Sequence, residues 1–293
     1  MRRNIILAAL LLLLAGNSAW AQIFPKRAPV PTGSRFFNGA DKVDFGADLL
    51  LNVSGDISFG IWVKLSSTLG TNDLIVERGA SGEAEADNSA LFLNIQGVSN
   101  SWDLRYVHEF GAGSNELTTF STNIKNDVWT YVALSRDTTA KTVKLWTATF
   151  GRPLALISTF PYTNQHTGGT GALTRFTLGQ REGGDLPLNG ANLAHVLFYN
   201  RSLSVVDHQH NMDGEITLYP LLDSSVWDLT DRSRLANHAI ATNAVQKPDG
   251  PIIYRAFAPR RIWLPPPAGA ARRLMIISGM LDRLSPRVES RRN

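Results

Sequence analysis

DVWTYVALSRDTTAKTVKLW, residues Asp127–Trp146, sets two apolar-rich stretches on either side of a polar turn. Through Val128–Arg136 and again from Thr142 to Phe150, β-branched and aromatic residues recur at alternate positions. That is the period of a strand, not of a helix. Arg136, Asp137 and the Thr and Lys of the turn read as turn residues rather than as a catalytic set. The hairpin therefore speaks for shape, and any chemistry has to be sought elsewhere in the chain.

The same period extends outward. Ile57, Phe59, Ile61, Val63 and Leu65 alternate with Ser58, Gly60, Trp62 and Lys64, which predicts a half-buried strand. Further strands are predicted at Leu74–Glu77, Leu91–Gln96, Asp103–Glu109, Leu117–Ser121, Leu154–Phe160, Phe176–Leu178 and Leu193–Tyr199, with two short ones in Ser34–Phe45. Polar and Gly-rich turns such as Gly79–Gly82 and Gly111–Asn115 separate them. Many short strands with almost no helical period predict an all-β fold, a two-sheet antiparallel jelly-roll sandwich. One short helix is predicted after Leu203, where Ser204 and Asp207 have the spacing of a capping box.

The 293 residues include no Cys and are 43% hydrophobic. That is enough apolar material for a core, and it excludes disulfides and thiolate chemistry. Arg2 and Arg3, the apolar run Ile5–Ala15 and the small-x-small site Ala19-Trp20-Ala21 predict a signal peptide over 1–21, with cleavage before Gln22 and export. No membrane span is expected once that segment is removed. Residues 22–33, with Pro25, Pro29 and Pro31, read as an extended leader, 34–250 as the domain and 251–293 as a basic tail. The tail carries nine Arg against Asp282 and Glu289, which leaves the body net acidic. An acidic partner surface suits such a tail. No specific nucleic-acid motif is present.

Five segments follow one another in order: RFFNGADKVDFG (Arg35–Gly46), ISFGIWVKL (Ile57–Leu65), VWTYVALSRD with KTVKLW (Val128–Trp146), FTLGQ (Phe176–Gln180) and NLAHVLFYNRSLS (Asn192–Ser204). Together they resemble the concanavalin A-like lectin/glucanase superfamily in its laminin-G-like branch. The resemblance makes the two hairpin strands neighbours, with Trp129 and Leu145 between the sheets. A late stretch, LYPLLDSSVWDLTDRSRLANHA (Leu218–Ala239), is similar to the segment that usually opens such a domain. It is expected to supply a strand at a sheet edge rather than to begin a second copy.

The resemblance also frames the candidate chemistry. Glucanases of the superfamily use a Glu-x-Asp-x-x-Glu strand, whose two glutamates flank the glycosidic bond. The nearest match is Glu83–Ala90, where Glu85 and Asp87 fit but Ala90 replaces the final glutamate. No enzyme activity is therefore expected. Many relatives hold calcium, for which Asp41 is the candidate ligand, although Ala194 and His195 stand where a late acidic residue usually does. His208 and His210 fall on the predicted helix, two residues apart and on different faces, and are expected to be exposed rather than zinc ligands. Trp102, Arg105, Tyr106 and His108 on one strand are the candidate ligand-binding residues, because aromatic faces stack on sugars and polar tips fix hydroxyls. The expected function is a non-catalytic carbohydrate-binding or adhesion module, secreted or displayed at a surface, whose partner is a glycan or cell-surface polysaccharide. A structural surface or virion-associated protein is the alternative, and a glucanase-type hydrolase the third reading.

Overall fold

The computed structural model describes residues 30–31, 33–47, 51, 53–79, 91–98, 100–111, 114–166, 175–181, 184, 186–214, 220, 222–224, 226, 229, 233 and 238–253. The signal segment 1–21, the Glu83–Ala90 motif and the tail beyond 253 lie outside the described residues. In chain order the first strands are β1 (Val30–Pro31), β2 (Ser34–Asn38), β3 (Lys42–Asp44), β4 (Ile57–Leu65), β5 (Leu74–Gly79), β6 (Leu91–Val98), β7 (Ser101–Gly111) and β8 (Ser114–Ile124). Then come β9 (Thr130–Asp137), β10 (Thr142–Thr149), β11 (Ala155–Pro161), β12 (Arg175–Leu178) and β13 (Asn189–Tyr199). The helix α1 (Val205–Met212) follows, and after it β14 (Leu222–Ser224), β15 (Ile240–Thr242), β16 (Val245–Lys247) and β17 (Ile252–Ile253).

Among the described residues these strands make two large antiparallel sheets. One runs β11-β10-β9-β4-β13-β2-β16, with β14 also on β13; the other runs β15-β3-β12-β5-β6-β7-β8. β1 and β17 form a separate two-residue ladder in which Val30 faces Ile253. The opening hairpin is β9–β10, in register with Leu134 opposite Leu145 and Ala133 opposite Trp146. Packed sheets face each other at about 10 Å, and the alternating residues fill that space. Ile57, Phe59, Ile61, Val63, Val132, Leu134, Val143 and Leu145 all belong to one buried cluster with Leu91, Leu93, Leu104 and Phe176 from the opposing sheet.

β4 departs from the half-buried expectation. Trp62 on its outer side is as buried as Ile61 on its inner side, because a second apolar layer of Trp62, Tyr131, Ala133, Trp146, Ala148, Ala194 and Met212 covers that outer face. Alternation in the sequence reports two faces of unequal polarity, but not what another element later lays on the polar one. Trp129 is corrected in the same way. It lies just ahead of β9, packs against this outer layer and is only partly buried, whereas Leu145 is in the inter-sheet core as expected.

The late segment supplies β14, which pairs with β13. One edge of β13 pairs with β4, and its other edge is divided: β2 takes Asn189–Leu193 and β14 takes Val196–Phe198. At the step His195 has φ +43°, and its Nε2 lies 3.2 Å from Asp223 Oδ1. Arg35 fixes the same segment through Nε to Val226 O at 2.8 Å and Nη1 to Ala244 O at 2.7 Å.

α1 starts as its sequence predicts. Ser204 accepts from the Asp207 N–H while the Asp207 carboxylate accepts from the Ser204 N–H, satisfying two orphan donors at once. His208 is corrected from exposed to buried, because α1 lies on the sheet with that residue beneath it. Its Nε2 stands 2.9 Å from Ser135 Oγ on β9. No described helix is long and apolar enough to cross a membrane.

Candidate ligand-binding site

β7 shows how strand alternation distributes the residues singled out in the sequence. Trp102, Leu104, Tyr106 and His108 are buried, while Asp103, Arg105, Val107 and Glu109 between them are partly exposed. Three of the four candidate ligand-binding residues therefore face the sandwich interior. Trp102 donates its indole N–H to Asn126 Oδ1 at 2.7 Å, and Tyr106 accepts from Arg136 Nη1 at 3.4 Å. His108 Nε2 donates to the Asn164 carbonyl at 2.7 Å, and burial pushes its pKa down to about 4. These side chains are core. Period two shows that they share a face but carries no label saying which face is wet.

Arg105 is on the other face, and there the structure does assemble a site. The outer surface of the seven-stranded sheet bears a cavity of about 300 Å³ lined by residues of β6, β7 and β8 and by Arg181 and Leu186 beyond β12. Its apolar part is Phe92, Val107 and Leu117, the last 50% exposed although it is a leucine on a strand. Its polar part is braced. Arg105 donates Nε to Asn94 Oδ1 at 3.2 Å and Nη2 to Asn72 Oδ1 at 2.9 Å, and Asn72 Oδ1 also accepts from Gln96 Nε2 at 2.8 Å. Arg181 Nε donates to Glu77 Oε1 at 3.1 Å and Oε2 at 3.3 Å, with its guanidinium 5.7 Å from the centre of the Phe92 ring. Each cation is thus fixed by a network before any ligand arrives, which lowers the ordering entropy of binding.

This combination has a definite chemical reach. Aliphatic and aromatic walls accept an apolar face, while guanidinium and amide groups meet hydroxyl or carbonyl oxygens around it. The braced Asn72 is the residue that sequence reading missed. Its signal is weak, since an Asn in a TND turn reads as turn chemistry alone, and Asn72 has φ +81° as turn asparagines do.

Asp41 goes elsewhere. It is fully buried in the β2–β3 turn, and its Oδ2 accepts from the Asn38 backbone N–H. Among the described residues no three His, Cys, Asp or Glu gather as a metal-ligand group. A Ser–His contact also exists, between Ser135 and His208, but it does not have the layout of a hydrolase. Ser135 Oγ donates to the Leu203 carbonyl at 3.0 Å and contacts Ser58 Oγ at 2.7 Å, so His208 Nε2 supplies the proton between them. All three side chains are buried, and together they tie α1 and its leading turn to the sheet.

No family model and no curated protein matches this chain. Solved structures do. A protein from Bacteroides ovatus described as a candidate carbohydrate binder superposes with a TM-score of 0.51 at 11% identity over 76% of this chain, which spans 62% of that one. A heptameric pentraxin from Limulus polyphemus gives a TM-score of 0.44 at 14% identity, covering 62% of this chain and 81% of the other. The sialidase carbohydrate-binding module of Ruminococcus gnavus, bound to α2,3 sialyllactose, gives 0.40 at 16% identity, covering 64% and 96%. With the two antiparallel sheets, the fold is a two-sheet jelly-roll sandwich, shared with the Bacteroides ovatus protein.

Proposed function

We propose that this protein is an exported, non-catalytic carbohydrate-binding module that receives a glycan on the outer face of its seven-stranded sheet. The observation that carries this reading is the braced Arg105 above the apolar wall of Val107 and Leu117. A sugar ring has apolar C–H faces and a rim of hydroxyls, and this surface offers a counterpart to each. Binding rather than turnover is supported by the burial of the Ser135–His208 contact and by Ala90 in the glutamate motif. Export rests on the sequence of residues 1–21. The basic segment after 253 is the candidate element for an acidic partner surface.

The test is a glycan array probed with the secreted protein and with Arg105→Ala. Selective binding by the native chain that is lost in the variant supports the reading. Blank arrays, or selective binding that survives Arg105→Ala, overturn it, and blank arrays together with tail-dependent assembly would favour a structural surface protein. Mass spectrometry of the same secreted material should find Gln22 at the amino terminus, and an intact Met1 would refute the cleavage.

A further inference from the structure

A second cavity, of about 340 Å³, lies on the opposite side of the sandwich, on the outer face of the other sheet. Trp62 of β4 lines it from the sheet, the β10–β11 turn (150–153) forms one wall, and the last turn of α1 forms the other. The walls are clipped together by one side chain. Gln209 Oε1 accepts from the Leu154 N–H at 2.9 Å, and its Nε2 donates to Asp213 Oδ2 at 3.2 Å. The cavity is therefore built into the fold, and its shape does not depend on exposed side chains alone.

Its lining is chemically mixed. Trp62, Phe150, Pro153 and Met212 are apolar, while Arg152 and Asp213 carry opposite charges. Trp62 is 1% exposed, and its indole N–H has no acceptor among the described residues. The hydroxyl of Tyr131, whose ring is 5.4 Å from that of Trp62, is likewise buried without a described partner. Buried polar hydrogens without acceptors are rare and disfavoured.

From this we infer that the cavity is a second ligand site, for one neutral polyhydroxylated ring of the size of a single pyranose. Three alternatives fit less well. A wholly apolar ligand would cover the charged Arg152 and Asp213 without offering either a polar partner. A ligand of either charge meets a like charge at Arg152 or Asp213. A longer chain exceeds a cavity at the small end of the ligand-pocket range, roughly 300–1,000 Å³. A pyranose instead covers Phe150 and Pro153 with its C–H face and both donates and accepts along its rim. Because the two sites lie on opposite faces, the chain would be bivalent and able to bridge two glycans.

Calorimetry and nitrogen-edited NMR on the full chain, titrated with neutral methyl pyranosides and with cyclohexanol, test this. Phe150 and Arg152 are exposed, so Phe150→Ala/Arg152→Ala keeps the fold, and Asp213→Asn is the second variant. The expected result is a pyranoside that shifts the Trp62 indole N–H resonance and binds about tenfold more weakly to both variants, but unchanged to Arg105→Ala. The inference fails if no pyranoside moves that resonance, if cyclohexanol binds as well as the sugars, or if both variants bind like the native chain. Loss in Arg105→Ala with no change in the other two assigns the sugar to the first groove alone and also overturns it.

Discussion

Arg105 Nη2 reaches across β6 to donate to Asn72 Oδ1 at 2.9 Å, which joins β7 to the turn before β5. Asn72 is the point where Arg105 and Gln96 converge. Asn72→Gly removes the acceptor while allowing the positive φ. Glycan affinity should fall about tenfold, with a thermal midpoint within a few degrees of native, since the network is peripheral. Undiminished binding in the variant would show that the bracing is irrelevant to recognition.

On the other sheet, the hydroxyl of Tyr131 lies over Gly60, where a Cβ would stand 2.1 Å from the oxygen and 2.9 Å from Cζ. Both residues are buried, so the ring has no room to retreat. Gly60→Ala should destabilise by about 1–3 kcal/mol through overpacking. Urea denaturation reads this directly, and a neutral result would mean that the ring moves aside.

Leu145 and Trp129 make a paired comparison. Leu145→Ala leaves a void between the sheets and should cost about 2–5 kcal/mol. Trp129 is partly exposed, with its N–H 3.3 Å from Asp249 Oδ1 and Lys64 5.7 Å from its ring. Trp129→Ala should therefore cost less than Leu145→Ala despite the larger side chain. The reverse order in denaturation free energies would place Trp129 in the core.

Acid should weaken the fold before its carboxylates titrate. Burial lowers the pKa of His108, His166 and His208 to about 4, against about 6.5 in an unfolded chain. The unfolded state therefore binds more protons across that interval. Stability is full above about pH 6.5 and falls toward pH 4, by up to roughly 1.4 kcal/mol per pH unit for each histidine. Urea midpoints should drop between about pH 7 and pH 5. His166→Gln should flatten the slope, and a midpoint independent of pH over that range would contradict the burial.

The sequence by itself determined the sandwich. Period-two alternation marked Ile57–Leu65 and Val128–Phe150 as strands, and Ser204 with Asp207 located the start of α1, because capping is local chemistry. Only tertiary structure decided which way the faces point. Trp102, Tyr106 and His108 were legible as sharing a side of β7, yet whether that side met water or Leu134 across the sandwich depended on the strands opposite. Arg105, singled out in the sequence with them, proved to be on the outer face, and its bracing by Asn72, thirty-three positions away, came only with the fold. Trp62 became buried in a layer with Tyr131 and Trp146 of the neighbouring strands and Met212 of α1, all distant in the chain. Local sequence fixes periodicity and caps, since neighbours in the chain set them; burial and convergence depend on partners distant in sequence, which appear only when the sheets have closed on each other.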